Sequence, residues 1–366
     1  MADFSAADSA FMARALRLAE RGIYTAHPNP MVGCVLVRDG EIVGDGWHER
    51  AGEAHAEINA LAAAGERARG ATAYLTLEPC SHEGKTPPCA PALVEAGIRE
   101  VVIAMEDPFP AVSGNGRAAL EAAGIKVRSG LMQTAAQQLN AGFLSRVQRA
   151  RPFVRLKIAC SIDGAIAMKS GESQWITGPE ARADVQRLRA RSGAILTGIG
   201  TVLADDPALT VRHEDLDDRG RQPLRAVLDS RLRMPRSAGM LARPGETFLY
   251  CTDDGRRQAL ADTGAHVVRV KSVAGVLDVR QVLADLADRE VNDLLVEAGP
   301  AVSGHLLSRG LVDELVIYQA PHIMGSETQA MFRTPEWSRL ADRQSLDILD
   351  LRRVGCDIRI TARPAG

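Results

Sequence analysis

His55-Ala56-Glu57 and, further along, Pro79-Cys80-Ser81-His82-Glu83-Gly84-Lys85-Thr86-Pro87-Pro88-Cys89 decide how this chain is read. One histidine and two cysteines make a soft three-ligand set suited to Zn²⁺. Three protein ligands leave the fourth tetrahedral position open for water, the catalytic rather than the structural arrangement. Zinc in such a site lowers the pKa of water to roughly 7. Glu57, two residues from His55 at a predicted helix start, can reach that water without being a ligand and can shuttle protons.

The layout follows the H-x-E and P-C-x-x-C signature of zinc deaminases, with one departure: eight residues separate Cys80 from Cys89. A longer loop still lets Cys80 end a strand and Cys89 open the next helix, whose N-terminus favours a thiolate. A structural zinc, or two buried core cysteines, is the competing reading. The full pattern, set on helix, strand and helix, weighs against it.

Outward from this motif, the chain reads as alternating helices and strands. Before it lie a helical stripe over 5–21, a loop holding Pro28-Asn29-Pro30, and a hairpin of 32–37 and 41–43 around Asp39-Gly40. A helix over about 54–68 carries the first half of the motif and the strand 71–77 leads to the second. Helices near 91–96 and 116–123 then alternate with strands at 101–105 and 125–127, and one apolar helix runs over 132–147. Pro152 marks a boundary. A second series follows, with strands at 153–159, 194–197, 224–228, 247–251, 266–270, 293–296 and 314–319, and helices at 179–191, 276–287 and 302–308. Two α/β domains, 1–150 and 151–366, are the economical division.

Composition sets the class. The 366 residues are 46% apolar and 25% charged, which excludes bulk disorder. No run of 18 apolar residues exists for a membrane span, and Met1-Ala2-Asp3-Phe4 is not the start of a signal peptide, so a cytoplasmic protein is expected. Forty-four basic against 46 acidic side chains, with only 4% aromatics, argue against a nucleic-acid partner. The six cysteines are too scattered for a disulfide framework. Cys34 and Cys160 read as small buried apolar residues.

The segments Asn29-Pro30-Met31-Val32-Gly33, His55-Ala56-Glu57 and Cys80 to Cys89 resemble the N-terminal half of the bifunctional riboflavin-biosynthesis deaminase/reductase family. Lys157-Ile158-Ala159-Cys160-Ser161-Ile162-Asp163-Gly164, Ser173-Gln174-Trp175-Ile176-Thr177-Gly178 and Asp205-Asp206-Pro207-Ala208-Leu209-Thr210-Val211-Arg212 resemble its C-terminal half. The resemblance implies a cytidine-deaminase-like α/β/α sandwich followed by a dihydrofolate-reductase-like α/β domain. It implies hydrolytic deamination of 2,5-diamino-6-ribosylamino-4(3H)-pyrimidinone 5′-phosphate by zinc-activated hydroxide. NADPH-dependent reduction of the ribosyl chain to ribityl then gives 5-amino-6-(5-phosphoribitylamino)uracil. Carried over, His55, Cys80 and Cys89 hold one zinc per chain and Glu57 is the proton donor. Asn29, His48, His82 and Lys85 line the deaminase pocket, with Lys85 suited to the phosphate. Ala159, Trp175, Thr201, Asp205, Ser230 and the run Gly299, Pro300, Ala301, Val302, Ser303, Gly304 and His305 line an NADPH site. Ser173, Arg189, Leu209, Arg212 and Glu297 line the second substrate site. A homo-oligomer, dimer or tetramer, is implied by the family alone.

Read directly, the second half is less specific. Gly198-Ile199-Gly200-Thr201 lacks the third glycine of a dinucleotide fingerprint. The turn Gly299 to Gly304 opens a helix whose backbone N–H groups can hold a pyrophosphate. Two arginines suit a phosphate. Trp175 reads either as a ligand contact or as core filling, Asp205-Asp206-Pro207 either as a site or as a turn, and Asn29 and His48 either as pocket or as surface polar residues. Asp163 reads at least as well as a turn former, and Glu297 either assists protonation or bonds a hydroxyl. Two other functions compete: a nucleic-acid-editing zinc deaminase with a C-terminal binding module, and a nucleotide sensor with a decayed reductase half. The loop length and the balanced charge oppose the first. Intact Lys157, Asp163, Trp175 and Arg212 oppose the second.

Overall fold

Ser5 accepts a hydrogen bond from the Asp8 N–H at 3.0 Å while the Asp8 carboxylate accepts from the Ser5 N–H at 2.8 Å, and this capping box starts helix α1, Ala6–Glu20. The computed structural model describes residues 4–81, 87–109, 113–213 and 216–365. Two compact units, Met1–Ala150 and Arg151–Gly366, divide the chain.

In the first unit, α1 is followed by β1 (Gly33–Arg38), β2 (Glu41–Trp47), α2 (Ala56–Ala64), β3 (Thr72–Leu75), α3 (Cys89–Glu95), β4 (Glu100–Ile103), α4 (Asn115–Ala122), β5 (Lys126–Ser129), α5 (Gln133–Leu139) and α6 (Ala141–Arg149). The sheet order is β2-β1-β3-β4-β5. β1 is antiparallel to both neighbours, and β3, β4 and β5 are parallel. Alternation along β1 sends Cys34 and Leu36 into a core with α2, α3 and α4. It sends Val35 and Val37 into a second core with α1 and α5. The three layers are the expected sandwich.

Glycines set the closeness of those layers. A Cβ on Gly44 would lie 2.5 Å from the Ala60 carbonyl oxygen, and one on Gly46 would lie 2.7 Å from the Ala60 nitrogen. Only glycine lets the small-residue face of α2 rest on β2.

The continuous helix expected over 132–147 is two helices broken at Asn140. The Asn140 amide pairs with both backbone polar groups of one distant residue: the Met31 N–H donates to Oδ1 at 2.8 Å and Nδ2 donates to the Met31 carbonyl at 2.9 Å. Asn140 itself leaves helical geometry, at φ −102° and ψ 25°.

The second unit contains β6 (Phe153–Ser161), β7 (Ala165–Met168), α7 (Pro179–Arg191), β8 (Ala194–Gly198), α8 (Ile199–Asp205), β9 (Leu224–Leu228), β10 (Thr247–Cys251), β11 (Ala265–Arg269), β12 (Ser272–Val273), β13 (Val276–Leu277), α9 (Val279–Asp288), β14 (Asp293–Val296), α10 (Pro300–Ser308), β15 (Glu314–Ala320), β16 (Thr328–Ala330), β17 (Leu346–Val354) and β18 (Asp357–Pro364). Nine strands form one sheet in the order β11-β10-β9-β8-β14-β6-β15-β18-β17. Strands β11 to β15 of that order run parallel, so their carboxyl ends share one edge; β18 and β17 close the other side antiparallel. α9 and α10 pack on one face and α7 and α8 on the other.

The helix expected from Val276 begins only at Val279. Val276–Leu277 pairs with Ser272–Val273, and Asp278 caps α9 by accepting from the Arg280 N–H at 3.0 Å. The β17–β18 hairpin was not expected. β17 is exposed along nearly its whole length and carries no clean apolar-polar alternation.

Candidate active sites

In the first unit, His55 is the N-cap of α2 and Cys89 is the first residue of α3. Cys80 does not end a strand as expected: β3 stops at Leu75, and Cys80 lies in the segment beyond it. Their Nδ1 and Sγ atoms all lie within 4.8 Å of one another, the one such group of metal-ligating side chains among the described residues. His55 Nδ1 is 3.6 Å from Cys80 Sγ and 3.3 Å from Cys89 Sγ. Two soft sulfurs and an imidazole nitrogen at this spacing fit a tetrahedral zinc with one open position.

The helix-start N–H expected to favour a thiolate on Cys89 serves Cys80 instead: Cys89 N–H donates to Cys80 Sγ at 3.3 Å. The contact with Cys89 holds the Cys80 thiol well below its ordinary range, with burial opposing. The same contact, together with burial, pushes Cys89 up. The two thiols are thus driven in opposite directions, and a cation binding both sulfurs needs both as thiolates.

Glu57, in the first turn of α2, is 3% exposed. Burial pushes its carboxyl up to about 7, in contact with Cys89. A cation on the three donors would pull it back toward ionisation. It is placed to hold and release a proton without needing to bind metal.

His48 is 2% exposed and sits edge-on to His55, with ring centroids 5.3 Å apart. Its Nδ1 lies 3.1 Å from the Ala54 carbonyl oxygen and its Nε2 lies 3.0 Å from Asn29 Nδ2. Burial lowers its pKa. Asn29 and His48 are therefore joined to each other beside the ligand set. His82 and Lys85 lie outside the described residues.

Two residues missed from sequence shape this site. Glu78 is 3% exposed, and its carboxylate accepts from the backbone N–H groups of Asp107, Gly114 and Arg117 at 3.2, 3.0 and 3.0 Å. It thereby ties the segment entering Cys80 to the start of α4. Asn140 fixes Met31, two residues from Asn29. Their partners lie far away in the chain, so local pattern carries no trace of either role.

In the second unit, the glycine turns after β8 and β14 come together. A Cβ on Gly198 would lie 2.9 Å from Val302 Cγ2, and one on Gly299 would lie 3.9 Å from Thr201 Oγ1. Above Gly200 the space is open. Gly299 is the N-cap of α10, with Pro300 at its first turn. Within the expected run, Ser303 is buried and donates to the Ala298 carbonyl, while Gly304 packs against the backbone of Arg333. The helix start, from Gly299 to Val302, is what this run can offer a ligand. Ser230 follows β9 on the same edge, Ala159 lies near the end of β6, and Asp205 ends α8. Asp206 adopts φ 40° and accepts from the Gly239 N–H at 2.8 Å, so the Asp-Asp-Pro stretch is a turn on the side of Asp206.

Glu297, directly after β14, is forked by Arg189: Nε donates to Oε1 at 2.6 Å and Nη2 to Oε2 at 3.0 Å. Arg189 Nη1 donates to the Thr210 carbonyl at 3.0 Å. Burial opposes the charge on Glu297, but Arg189, Lys157 and Arg212 outweigh it and hold the carboxyl below its usual value. Lys157, unassigned from sequence, belongs to this cluster; burial lowers its pKa and Glu297 opposes the fall. Arg212 is exposed and Leu209 is buried in the core.

Trp175 is 70% exposed, which overturns core filling, and the Arg182 guanidinium lies 4.7 Å from its ring centroid. It shares the segment before α7 with Ser173, and Asp357 accepts from the Gly178 N–H at 2.8 Å at the end of that segment. Asp163 accepts from Ser161 Oγ, Met324 N–H and Gly325 N–H, so it shapes the turn after β6. The Ser161 hydroxyl and the two N–H donors bring its carboxyl down to about 2.

Comparisons with known proteins agree across both units. Residues 5–105 match the family model described as the cytidine and deoxycytidylate deaminase zinc-binding region, and residues 152–360 match the RibD C-terminal domain. The chain is 49% identical to riboflavin biosynthesis protein RibD of Escherichia coli strain K12 over 360 residues, covering 96% of this chain and 98% of the other. The Haemophilus influenzae protein of the same name is 44% identical, with both chains covered in full. Among solved structures, Acinetobacter baumannii RibD superposes with a TM-score of 0.92 at 44% identity, covering 98% of this chain and 99% of that one. The diaminohydroxyphosphoribosylaminopyrimidine deaminase/5-amino-6-(5-phosphoribosylamino)uracil reductase of Thermotoga maritima does so at 0.84 and 32% identity, with the same coverage. Matches that run through both units disfavour the editing reading. No helix among the described residues is long and apolar enough to cross a membrane.

Proposed function

The chain belongs to the family of bifunctional riboflavin-biosynthesis deaminase/reductases, and from that premise we propose a division of labour at residue 150, with named roles on each side. Residues 1–150 deaminate 2,5-diamino-6-ribosylamino-4(3H)-pyrimidinone 5′-phosphate. Residues 151–366 reduce the ribosyl chain of the product with NADPH.

The observation that carries the first half is the convergence of His55, Cys80 and Cys89 beside the buried Glu57. These three residues hold one zinc, which supplies the Lewis acidity that makes water a nucleophile near neutral pH. Glu57 takes up a proton at its carboxylate and delivers it to the departing amine, so the leaving group is ammonia. Burial, which favours the protonated carboxyl, suits both halves of that transfer. Lys85 and His82 are assigned to the substrate phosphate and rim on sequence alone.

For the second half, the helix start at Gly299 and the adjoining Thr201 offer N–H and hydroxyl donors to a dinucleotide phosphate. NADPH bound there supplies the hydride. Arg189 holds Glu297 in one orientation, and Glu297 addresses the sugar hydroxyls or the proton that accompanies hydride transfer. Arg212, exposed at the same cluster, is the phosphate partner. Ser173, Trp175, Asp205 and Ser230 line the rim. Association into a homo-oligomer and a cytoplasmic location belong to the same reading and rest on the family.

Glu57→Gln tests it. Ammonia release should vanish, while NADPH oxidation on pre-deaminated substrate continues at the parent rate. Loss of both activities in a protein that stays folded would overturn the two-site assignment.

A further inference from the structure

His48 is enclosed, and both of its ring nitrogens are committed inside the protein. Nδ1 faces a backbone carbonyl oxygen, that of Ala54, at 3.1 Å. A carbonyl oxygen only accepts, so Nδ1 must carry the hydrogen. In the neutral ring that leaves Nε2 as a bare acceptor. The group 3.0 Å from it, on Asn29, must then be the amide NH₂. The orientation of an Asn amide follows from such a network rather than from its shape. With one N–H of its amide given to His48, Asn29 has its carbonyl oxygen and the second amide hydrogen left, and the oxygen is the one acceptor it can turn to a ligand. That oxygen has no partner among the described residues.

We propose that His48 is a positioning residue rather than a substrate contact: its Nδ1–H tautomer turns Asn29 so that Oδ1 faces the deaminase pocket. The site then reads a ring N–H next to the amino-bearing carbon of the heterocycle. A pyrimidin-4(3H)-one presents that donor, whereas a cytosine or adenine edge presents a ring-nitrogen lone pair there and meets oxygen with a repelling lone pair. Reading a donor by a fixed acceptor discriminates more strongly than shape does, because the wrong edge leaves a polar group unpaired. The inference rests on deamination at this site.

Two measurements on the full-length, zinc-loaded chain test it. The first is a nitrogen-15 correlation spectrum of histidine-labelled protein near neutral pH. It should show His48 with Nδ1 protonated and Nε2 bare. An Nε2–H tautomer or an imidazolium would overturn the assignment, whatever the activity.

The second is a double-mutant cycle on ammonia release. His48→Phe in the parent chain should lower kcat/KM at least about tenfold, the loss of one oriented hydrogen bond. In an Asn29→Ala background the same change should have almost no further effect, since His48 acts only through Asn29. An equal fold-loss in both backgrounds would make His48 a direct contact and overturn the proposal. Inhibition by two small probes extends the cycle. 2,6-Diamino-4(3H)-pyrimidinone should outcompete 2,4,6-triaminopyrimidine in the parent, and the preference should shrink in His48→Phe. Equal inhibition in the parent would refute the selectivity. A parent chain that releases no ammonia would instead refute the deaminase reading and leave the tautomer result standing.

Discussion

Glu297 and Arg189 face each other across two hydrogen bonds with both side chains largely buried, and such a pair is costly to break from one side. The sign of its pH dependence follows from the depressed carboxyl. A carboxylate whose folded pKa lies below its unfolded value stabilises the fold fully above the unfolded value. That stabilisation is lost as pH falls through the folded one. Glu297→Gln should therefore lower the unfolding free energy of the reductase unit, read by denaturant titration, by a few kcal/mol at about pH 7, with Arg189 left uncompensated. The gap from the parent should begin to narrow below about pH 4.5, the ordinary glutamate value, and close as pH falls through the lower folded value. A gap of constant size down to acid pH would show that the pair contributes nothing through its charge. Reductase turnover should fall in the same variant. Sequence names Glu297 and Arg189 as separate substrate contacts. That each is the other's partner depends on a sequence separation of 108 residues, which no local pattern encodes.

At the level of elements, the placement of His55 depends on how closely α2 lies on β2. Gly46→Ala puts a methyl 2.7 Å from the Ala60 nitrogen, a backbone atom that cannot step aside. Overpacking of this kind should cost about 1–3 kcal/mol and weaken metal binding by displacing the helix that carries His55. Denaturation and competition with a chelator read the two effects, and unchanged zinc affinity would separate the ligand set from the helix position. Asn140→Ala should cost roughly 1–3 kcal/mol, because both polar groups of Met31 lose their partner. It should also raise KM for deamination through the loop that carries Asn29, while NADPH oxidation stays unchanged. Most element positions were legible: α7 and β14 fall where periodicity puts them. The break at Asn140 was not, because apolar spacing continues across it and the residue that breaks the helix answers to Met31. The β17–β18 hairpin was hidden for a different reason, since Leu346, Ile348, Leu349 and Leu351 are all exposed and follow no two-residue alternation.

Across the whole molecule, two sets of chemistry sit on two units, each with its own cores, and this makes them separable by metal. Stripping zinc with a strong chelator should abolish ammonia release and spare NADPH oxidation on deaminated substrate. Restored zinc should return the first activity without altering the second. Loss of both on chelation would tie the metal to the fold of the entire chain. The near-balanced charge fits small ligands rather than a polyanion held by a broad basic face.

The base of the segment between Cys80 and Cys89 is shut by two backbone contacts, Cys89 N–H to Cys80 Sγ and Ala90 N–H to the Cys80 carbonyl. The spacing of the two sulfur-bearing residues is thus fixed at the two ends of the stretch. Because the entropy of closing a loop grows only with the logarithm of its length, lengthening the intervening stretch costs little. The two ends can therefore keep their places around stretches of quite different length and composition.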